Sequence, residues 1–319
     1  MCIRDRTYNW KMEKDKKLLH KGKPVMGFRV PTRGTARNAP DIMGLAPNGD
    51  FYIPTPPVPE AVEELKKAGI LNPDVLLRVY SREGKLKCLQ ALPGFGLSCG
   101  VRIGRRGEVY IAMELQPKGQ AAPEGIAAGF KWDPATWGTL VKFNSVYDKY
   151  PIGTMNEDKA NPTHRKSVRG PMVRLENAAW DYPGVSPLPQ GGGMACCRCW
   201  KSVFDLDGFE RSFVPASQTC TVNVLDANGN IVLRIGGYGN PDSRGKDSAV
   251  PDPKTGEYRP RRPDDPPDLK SPLAEPDVAF AEPRFVAVTD EAVYVHDGGN
   301  ERIVRAKLGY RAEETLALP

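Results

Sequence analysis

The stretch "AEPRFVAVTDEAVYVHDGGNERIVRAKLGY", from Ala281 to Tyr310, holds three short runs of β-branched and aromatic residues. They are Phe285 to Val288, Val293 to Val295, and a third that opens with Ile303 and Val304. Such side chains fit a pleated strand, and each run is too short for a helix. Thr289-Asp290-Glu291 and Asp297-Gly298-Gly299-Asn300-Glu301 fill the gaps. Glycine reaches positive φ without strain, and Asp or Asn bonds the local backbone, so both gaps read as turns. The pattern predicts an antiparallel meander.

The motif recurs along the chain. "IMGLAPNGDFYIP" (Ile42 to Pro54), "CGVRIGRRGEVYIA" (Cys99 to Ala112) and "FDLDGFERSFVP" (Phe204 to Pro215) superpose on it when Tyr52, Tyr110, Phe213 and Tyr294 share one column. A third strand follows in each unit: "LLRVYSREGKLKCL" from Leu76, "TLVKFN" from Thr139, "VNVLDANGNIVLRIGGYG" from Val222 and "RIVRAKL" from Arg302. The first and third of these run on through Arg-Glu-Gly or Ala-Asn-Gly into a fourth strand, and "ETLALP" is placed to supply one at the end. A unit of four short strands cannot bury both faces alone, so such units stack around an axis. The sequence therefore predicts an all-β protein, a β-propeller of four-stranded antiparallel blades.

The segment Pro283 to Lys307 resembles an NHL repeat, through Tyr294, Val295, His296, Asp297, Asn300, Arg302 and Ile303. His296 departs from the pattern, standing where a small residue is usual. The resemblance, to large bacterial NHL-type proteins, covers most of the chain after about residue 40. It implies a propeller of six blades when intact, with four to five visible here. It also implies either a binding platform or a lyase or lactonase, because fold alone does not settle function. The Asp297, Asn300 and Arg302 set is read as structural, with Asp297 pairing with Arg302 or capping the turn.

Composition suits a turn-dense β protein: 319 residues, 40% hydrophobic, with 32 Gly and 31 Pro. No apolar run approaches the roughly 20 residues of a membrane helix. "MCIRDR" is what a transposon-end sequencing adapter encodes when read in frame, so residues 1–6 are read as an artefact. Residues 7–40 are then read as the remnant of an upstream blade and a linker, and "GKPVMGFRV" (Gly22 to Val30) as its outer strand. Residues 41–319 are read as the propeller, with insertions at 54–74, 113–138, 145–171 and 240–282. Without Arg4, Asp5 and Arg6, 43 basic residues face 38 acidic ones, a balance of +5. That mild excess, with few aromatics among the arginines, argues against nucleic acid as a partner.

Residues that could carry chemistry are few. The innermost strands place Gly44, Arg102, Asp205 and Val286 in one column, with Asp207 two places on. Arg102, Asp205, Asp207 and His296 are thus candidates for a polar channel mouth. A metal-dependent hydrolase, lactonase or lyase would gather oxygen ligands there around a divalent cation such as calcium. A histidine-rich metal centre is disfavoured by inventory, since the chain has only His20, His164 and His296, and of these only His296 lies on a blade strand. Cys196 and Cys199 in "ACCRCW" form one Cys-x-x-Cys pair without the second pair a zinc site needs. Disulfides through Cys88, Cys99, Cys196, Cys197, Cys199 and Cys220 are the expected use of the thiols, which favours an extracytoplasmic location.

The insertions break the repeat, and loops on rigid scaffolds carry function. "PEAVEELKKAG" from Pro59 predicts a helix, with Pro and Glu at its start, Lys near its end and Gly69 closing it. Residues 240–282, rich in Pro and charge, read as an extended or disordered excursion. Strand parity puts 54–74, 113–138 and 240–282 on one face, so Leu65, Phe130, Trp132 and Trp137 should share a side with that excursion. The reading favoured is a non-catalytic module that binds protein, carbohydrate or a small molecule there. No cofactor is expected for that role.

Overall fold

The computed structural model describes residues 10–12, 18–20, 23–24, 43–55, 63, 67, 75–95, 98–113, 115–119, 138–144, 154–166, 172–185 and 202–309. At the start, β1 (Trp10–Met12), β2 (Leu18–His20) and β3 (Lys23–Pro24) form a small antiparallel sheet. The expected strand from Gly22 to Val30 is thus described only at Lys23–Pro24.

Blade one follows as a meander of β4 (Gly44–Leu45), β5 (Phe51–Thr55), β6 (Val75–Tyr80) and β7 (Leu86–Phe95). Blade two begins with β8 (Ser98–Ile103) and β9 (Val109–Met113). The chain then leaves through β10 (Leu115–Pro117), returns as β11 (Gly138–Phe143), leaves again through β12 (Thr154–Glu157), β13 (His164–Lys166) and β14 (Met172–Glu176), and completes the blade with β15 (Ala178–Val185). Blade three is β16 (Asp205–Leu206), β17 (Ser212–Ala216), β18 (Thr221–Leu225) and β19 (Ile231–Ile235). After β20 (Gly237–Tyr238), β21 (Val250–Pro251), β22 (Tyr258–Arg259) and β23 (Ala279–Phe280), a last blade of β24 (Pro283–Val288), β25 (Ala292–Asp297) and β26 (Arg302–Lys307) ends the described chain.

Successive blades pack face to face through apolar layers. Tyr52, Leu77 and Val79 of blade one meet Val101, Ile111 and Val141 of blade two. Tyr110, Ala112 and Leu140 meet Phe204, Val214 and Leu225 of blade three, and Phe213, Val222 and Val224 meet Val286, Val293 and Val295 of the last blade. Four consecutive antiparallel sheets stacked in chain order are the architecture of an all-β propeller. The hairpin glycines Gly49, Gly107 and Gly229 have φ of +86°, +88° and +86°, which turns at these places require.

One column of the sequence alignment does not hold. Tyr52, Tyr110 and Phe213 are 1%, 0% and 2% exposed, whereas Tyr294 is 37% exposed. The first three hairpins close on Leu45↔Phe51, Ile103↔Val109 and Leu206↔Ser212, the last on Val288↔Val293. Its turn is one residue shorter, and with a side-chain period of two that exchanges the faces. Val293 and Val295 point inward. Tyr294 joins Phe285 and Ile303 on an outer face that no described blade covers.

Two of the insertions are one structure. β10 comes from 113–138, β12 and β13 come from 145–171, and β14 completes the sheet in the order β10-β13-β14-β12. Its Leu115 and Val173, with Leu175 beside them, enter the layer between blades one and two. These residues are therefore core, not free loop. Leu65, Phe130, Trp132 and Trp137 lie outside the described residues, and so does the shared side expected of them. Of the helix expected from Pro59, only Glu63 and Lys67 are described, and both are helical.

The excursion at 240–282 is folded, not the extended or disordered segment its composition suggests. β20 and β23 pair in parallel, β21 and β22 form a hairpin, and short 3-10 turns span Gly245–Asp247 and Pro272–Ala274. Polar side chains hold it where apolar ones are scarce. Ser248 Oγ donates to Leu273 O at 3.0 Å, Ser271 Oγ donates to Ala249 O, and Arg259 spans Asp252 and Asp265 at 3.1 and 2.6 Å. Net composition misleads here because Arg259 pairs with both Asp252 and Asp265 and serine hydroxyls bond the backbone.

Candidate functional site

The innermost strands bring Arg102 and Asp205 together. Arg102 Nε donates to Asp205 Oδ1 at 2.7 Å, and the guanidinium lies 5.9 Å from the Phe204 ring centroid. Asp205 Oδ2 accepts from Val288 N at 3.0 Å, so one carboxylate ties blades two, three and four. In blade one the same column holds Gly44, where a Cβ would meet Val101 and Ile103 of blade two at 3.0 Å. The column therefore acts as a seam between blades: close backbone approach at one joint and an ion pair at the next.

Asp207 does not join this pair. Its Oδ1 accepts from Phe209 N and Arg211 N at 2.8 and 2.9 Å, and Arg211 Nη2 lies 2.6 Å from Oδ2. Both oxygens are engaged by the hairpin they cap. His296 stands on the outer face of β25, its ring centroid 5.4 Å from that of Phe285. The structure thus brings together two of the four candidate channel-mouth residues. Among the described residues, no three His, Cys, Asp or Glu side chains are placed to share a metal ion.

Cys88 and Cys220 are free thiols, so the bridges expected through them do not form. Burial raises the pKa of both, and Asp297 and Glu282 raise that of Cys220 further. The Cys220 Sγ instead lies 3.4 Å from Ala281 O, a hydrogen bond that competes with any partner thiol. Cys196 and Cys199 lie outside the described residues.

The densest polar cluster joins the last blade to the excursion. Asp297, fully buried, accepts from Ala281 N at 3.1 Å, Glu282 N at 2.8 Å and Asn300 Nδ2 at 2.7 Å. Asn300 Nδ2 also donates to Gly239 O at 2.9 Å. Arg302 Nε is 3.5 Å from Asp297 Oδ2, and its terminal nitrogens donate to Ser243 O and Ala279 O at 3.0 and 2.7 Å. The turn residues of β25–β26 therefore grip both ends of the excursion. A second polar contact escaped the sequence reading: His164 Nε2 lies 3.3 Å from Asp181 Oδ2, with Nδ1 2.9 Å from Thr163 Oγ1. It links β13 to β15, and no local motif announces it.

No family model matches the chain. No curated protein matches it either. Among solved structures it is similar to a protein of unknown function from Bacteroides caccae, at 9% identity and TM-score 0.31, covering 92% of this chain and 83% of that one. It is also similar to virginiamycin B lyase from Staphylococcus aureus, at 11% identity and TM-score 0.26, covering 86% of each chain. A third is the PQQ-bound aldose sugar dehydrogenase from Streptomyces coelicolor, at 12% identity and TM-score 0.27, covering 88% of this chain and 80% of that one. At these scores the likenesses carry no argument, and the fold rests on the strand topology. No helix among the described residues is long and apolar enough to cross a membrane.

Proposed function

We propose that this chain is a non-catalytic NHL-type propeller that serves as a binding or scaffold module through its insertion-bearing face. The observation that carries this reading is the folded excursion at 240–282, fixed to the last blade by Asp297, Asn300 and Arg302. A long loop held by several hydrogen bonds presents a surface of fixed shape, which lowers the entropy lost on binding. The channel-mouth alternative, a metal-dependent hydrolase, lactonase or lyase, has less support. Asp205 and Asp207 are already engaged by Arg102, Val288 and Arg211, which leaves little carboxylate capacity for an ion.

The test pairs a binding measurement with an activity measurement. Purified chain is passed over immobilised polysaccharides and a peptide panel, and is assayed on lactone and phosphate-ester substrates with added calcium. Saturable binding that disappears when residues 245–275 are replaced by a short Gly-Ser linker is the expected result. Turnover that Asp205→Asn abolishes would establish the hydrolase instead.

A further inference from the structure

The outer strands of the four blades are guarded unequally. β7 carries Lys87 and shifts register three times against β6, β15 carries Pro183 and shifts twice against β11, and β26 carries Arg302, Arg305 and Lys307. Charged side chains, proline and bulges are the devices that keep a sheet edge from pairing with another chain. β19, the outer strand of blade three, reads Ile-Val-Leu-Arg-Ile from Ile231 to Ile235. It has no lysine and no proline, and its one register shift lies at its entry, opposite Val224 and Leu225. Ile231, Val232 and Leu233 are 39%, 56% and 51% exposed, and no described strand pairs with the outer edge of β19. An edge so apolar and so exposed is a template for a further strand.

The two faces of that edge differ in chemistry. Leu233 and Ile235 stand opposite Val224 and Val222, which pack into the layer between blade three and the last blade, and Ile235 reaches the same layer. Arg234 stands opposite Asn223 on the other face, where Asn223 Nδ2 donates to the Tyr182 hydroxyl of blade two at 2.9 Å. The Arg234 residue is exposed and has no carboxylate partner among the described residues. One side of the edge is thus apolar, and the other is polar with a single unpaired cation.

We propose that the outer edge of β19 is a strand-pairing site for an extended peptide segment of a partner protein, one that alternates apolar with polar residues and sets a carboxylate opposite Arg234. The backbone decides the class of occupant, because the N–H and C=O groups that β19 does not spend on β18 form a ladder that an added strand satisfies residue by residue. The side chains decide its pattern. Apolar residues of the added strand extend the side of Leu233 and Ile235, and an acid on the other side makes an opposite-charge cross-strand pair with Arg234. A second copy of this chain is the poorer occupant, since β19 paired with itself has no acid between Ile231 and Ile235 to set against Arg234. The site uses the rim of blade three and not the polar knot at Asp297, so it stands whether or not the insertion-bearing face binds.

The experiment uses the full chain and two soluble peptides of alternating valine and threonine that differ only in a central glutamate or lysine on the threonine face. Titration followed by backbone NMR should show the glutamate peptide binding saturably, with signal shifts and slowed amide exchange centred on residues 231–235. The lysine peptide should bind about fivefold more weakly, because it sets like charges opposite each other. Arg234→Glu should reverse that preference. Leu233→Lys, a change at an exposed position, should abolish binding of both peptides and leave the Tm where it is. Failure of the parent chain to bind either peptide, or binding that neither substitution alters, would overturn the proposal. So would a concentration-dependent dimer that Leu233→Lys dissolves, which would assign the edge to a second copy.

Discussion

The two ordered insertions are fastened in opposite ways. The sheet built from β10 and β12–β14 sends Leu115 and Val173, at 1% and 2% exposure, into the apolar layer between blades one and two. The apolar side chains that the excursion at 240–282 buries are few, Val250, Ala279 and Phe280, and it is held by Asp297, Asn300, Arg302 and Arg259. Apolar burial is non-directional and cooperative with the core, so the first insertion should unfold only with the propeller. Hydrogen bonds and ion pairs are local, so the second should be able to loosen while the blades stay packed.

The largest test of that contrast is Leu115→Ala. A buried Leu cut to Ala in a packed layer costs about 2–5 kcal/mol, and urea denaturation should show one transition moved to lower urea. A separate early transition with the main one unmoved would mean that the inserted sheet is not part of the core. Arg302→Ala should cost less, about 1–2 kcal/mol, since the guanidinium is part-exposed and its loss leaves Ser243 O and Ala279 O without that donor. Here the change should fall on the excursion. A loss as large as that of Leu115→Ala would mean that the knot supports the whole blade.

The smallest effect is one of pH. The Arg259 side chain first, then the Arg262 backbone N–H, holds Asp265 well below the usual carboxylate range; the Lys254 N–H and Arg259 lower Asp252 likewise. Both carboxylates are therefore more acidic folded than unfolded. Their contribution is complete above about pH 4 and is lost as the pH falls through the folded values. Backbone NMR signals of residues 250–270 should shift on acidification below that point, and Arg259→Gln should remove the step. Signals that move instead between pH 5 and 7 would contradict the assignment.

Much of the propeller was legible in the sequence because its turns are written in local chemistry. Asn48-Gly49, Arg106-Gly107 and Asn228-Gly229 mark hairpins that the structure contains, and the column of Tyr52, Tyr110 and Phe213 is a buried one. The face of Tyr294 was not legible, because a single missing turn residue inverts a strand without changing its composition. Nor was the inserted sheet. Leu115↔Lys166 and Thr154↔Glu176 join segments of three to five residues well separated in the chain, and periodicity has little to act on at that length. The Arg102–Asp205 pair was visible as a column, but its role as a seam depends on the Val288 N–H, which has no side-chain signature. Glu108 and Glu210 stand at unlike places in "RRGEVY" and "GFERSF", and only the approach of neighbouring hairpins reveals that both lie beside Gly104, where they accept the Arg106 and Arg105 N–H groups.

The claim that the excursion is a surface fixed by a polar knot is tested most directly by backbone amide exchange at single-residue resolution, in the parent chain and in Arg302→Ala. In the parent, the amides of Ser248, Ala281 and Glu282 should exchange slowly, since Gly245 O and Asp297 hold them. In the variant these amides should quicken many-fold while Val286, hydrogen-bonded to Val203 O within the blade stack, keeps its parent rate. Free exchange across 240–282 in the parent chain, or equal quickening at Val286 in the variant, would contradict the account.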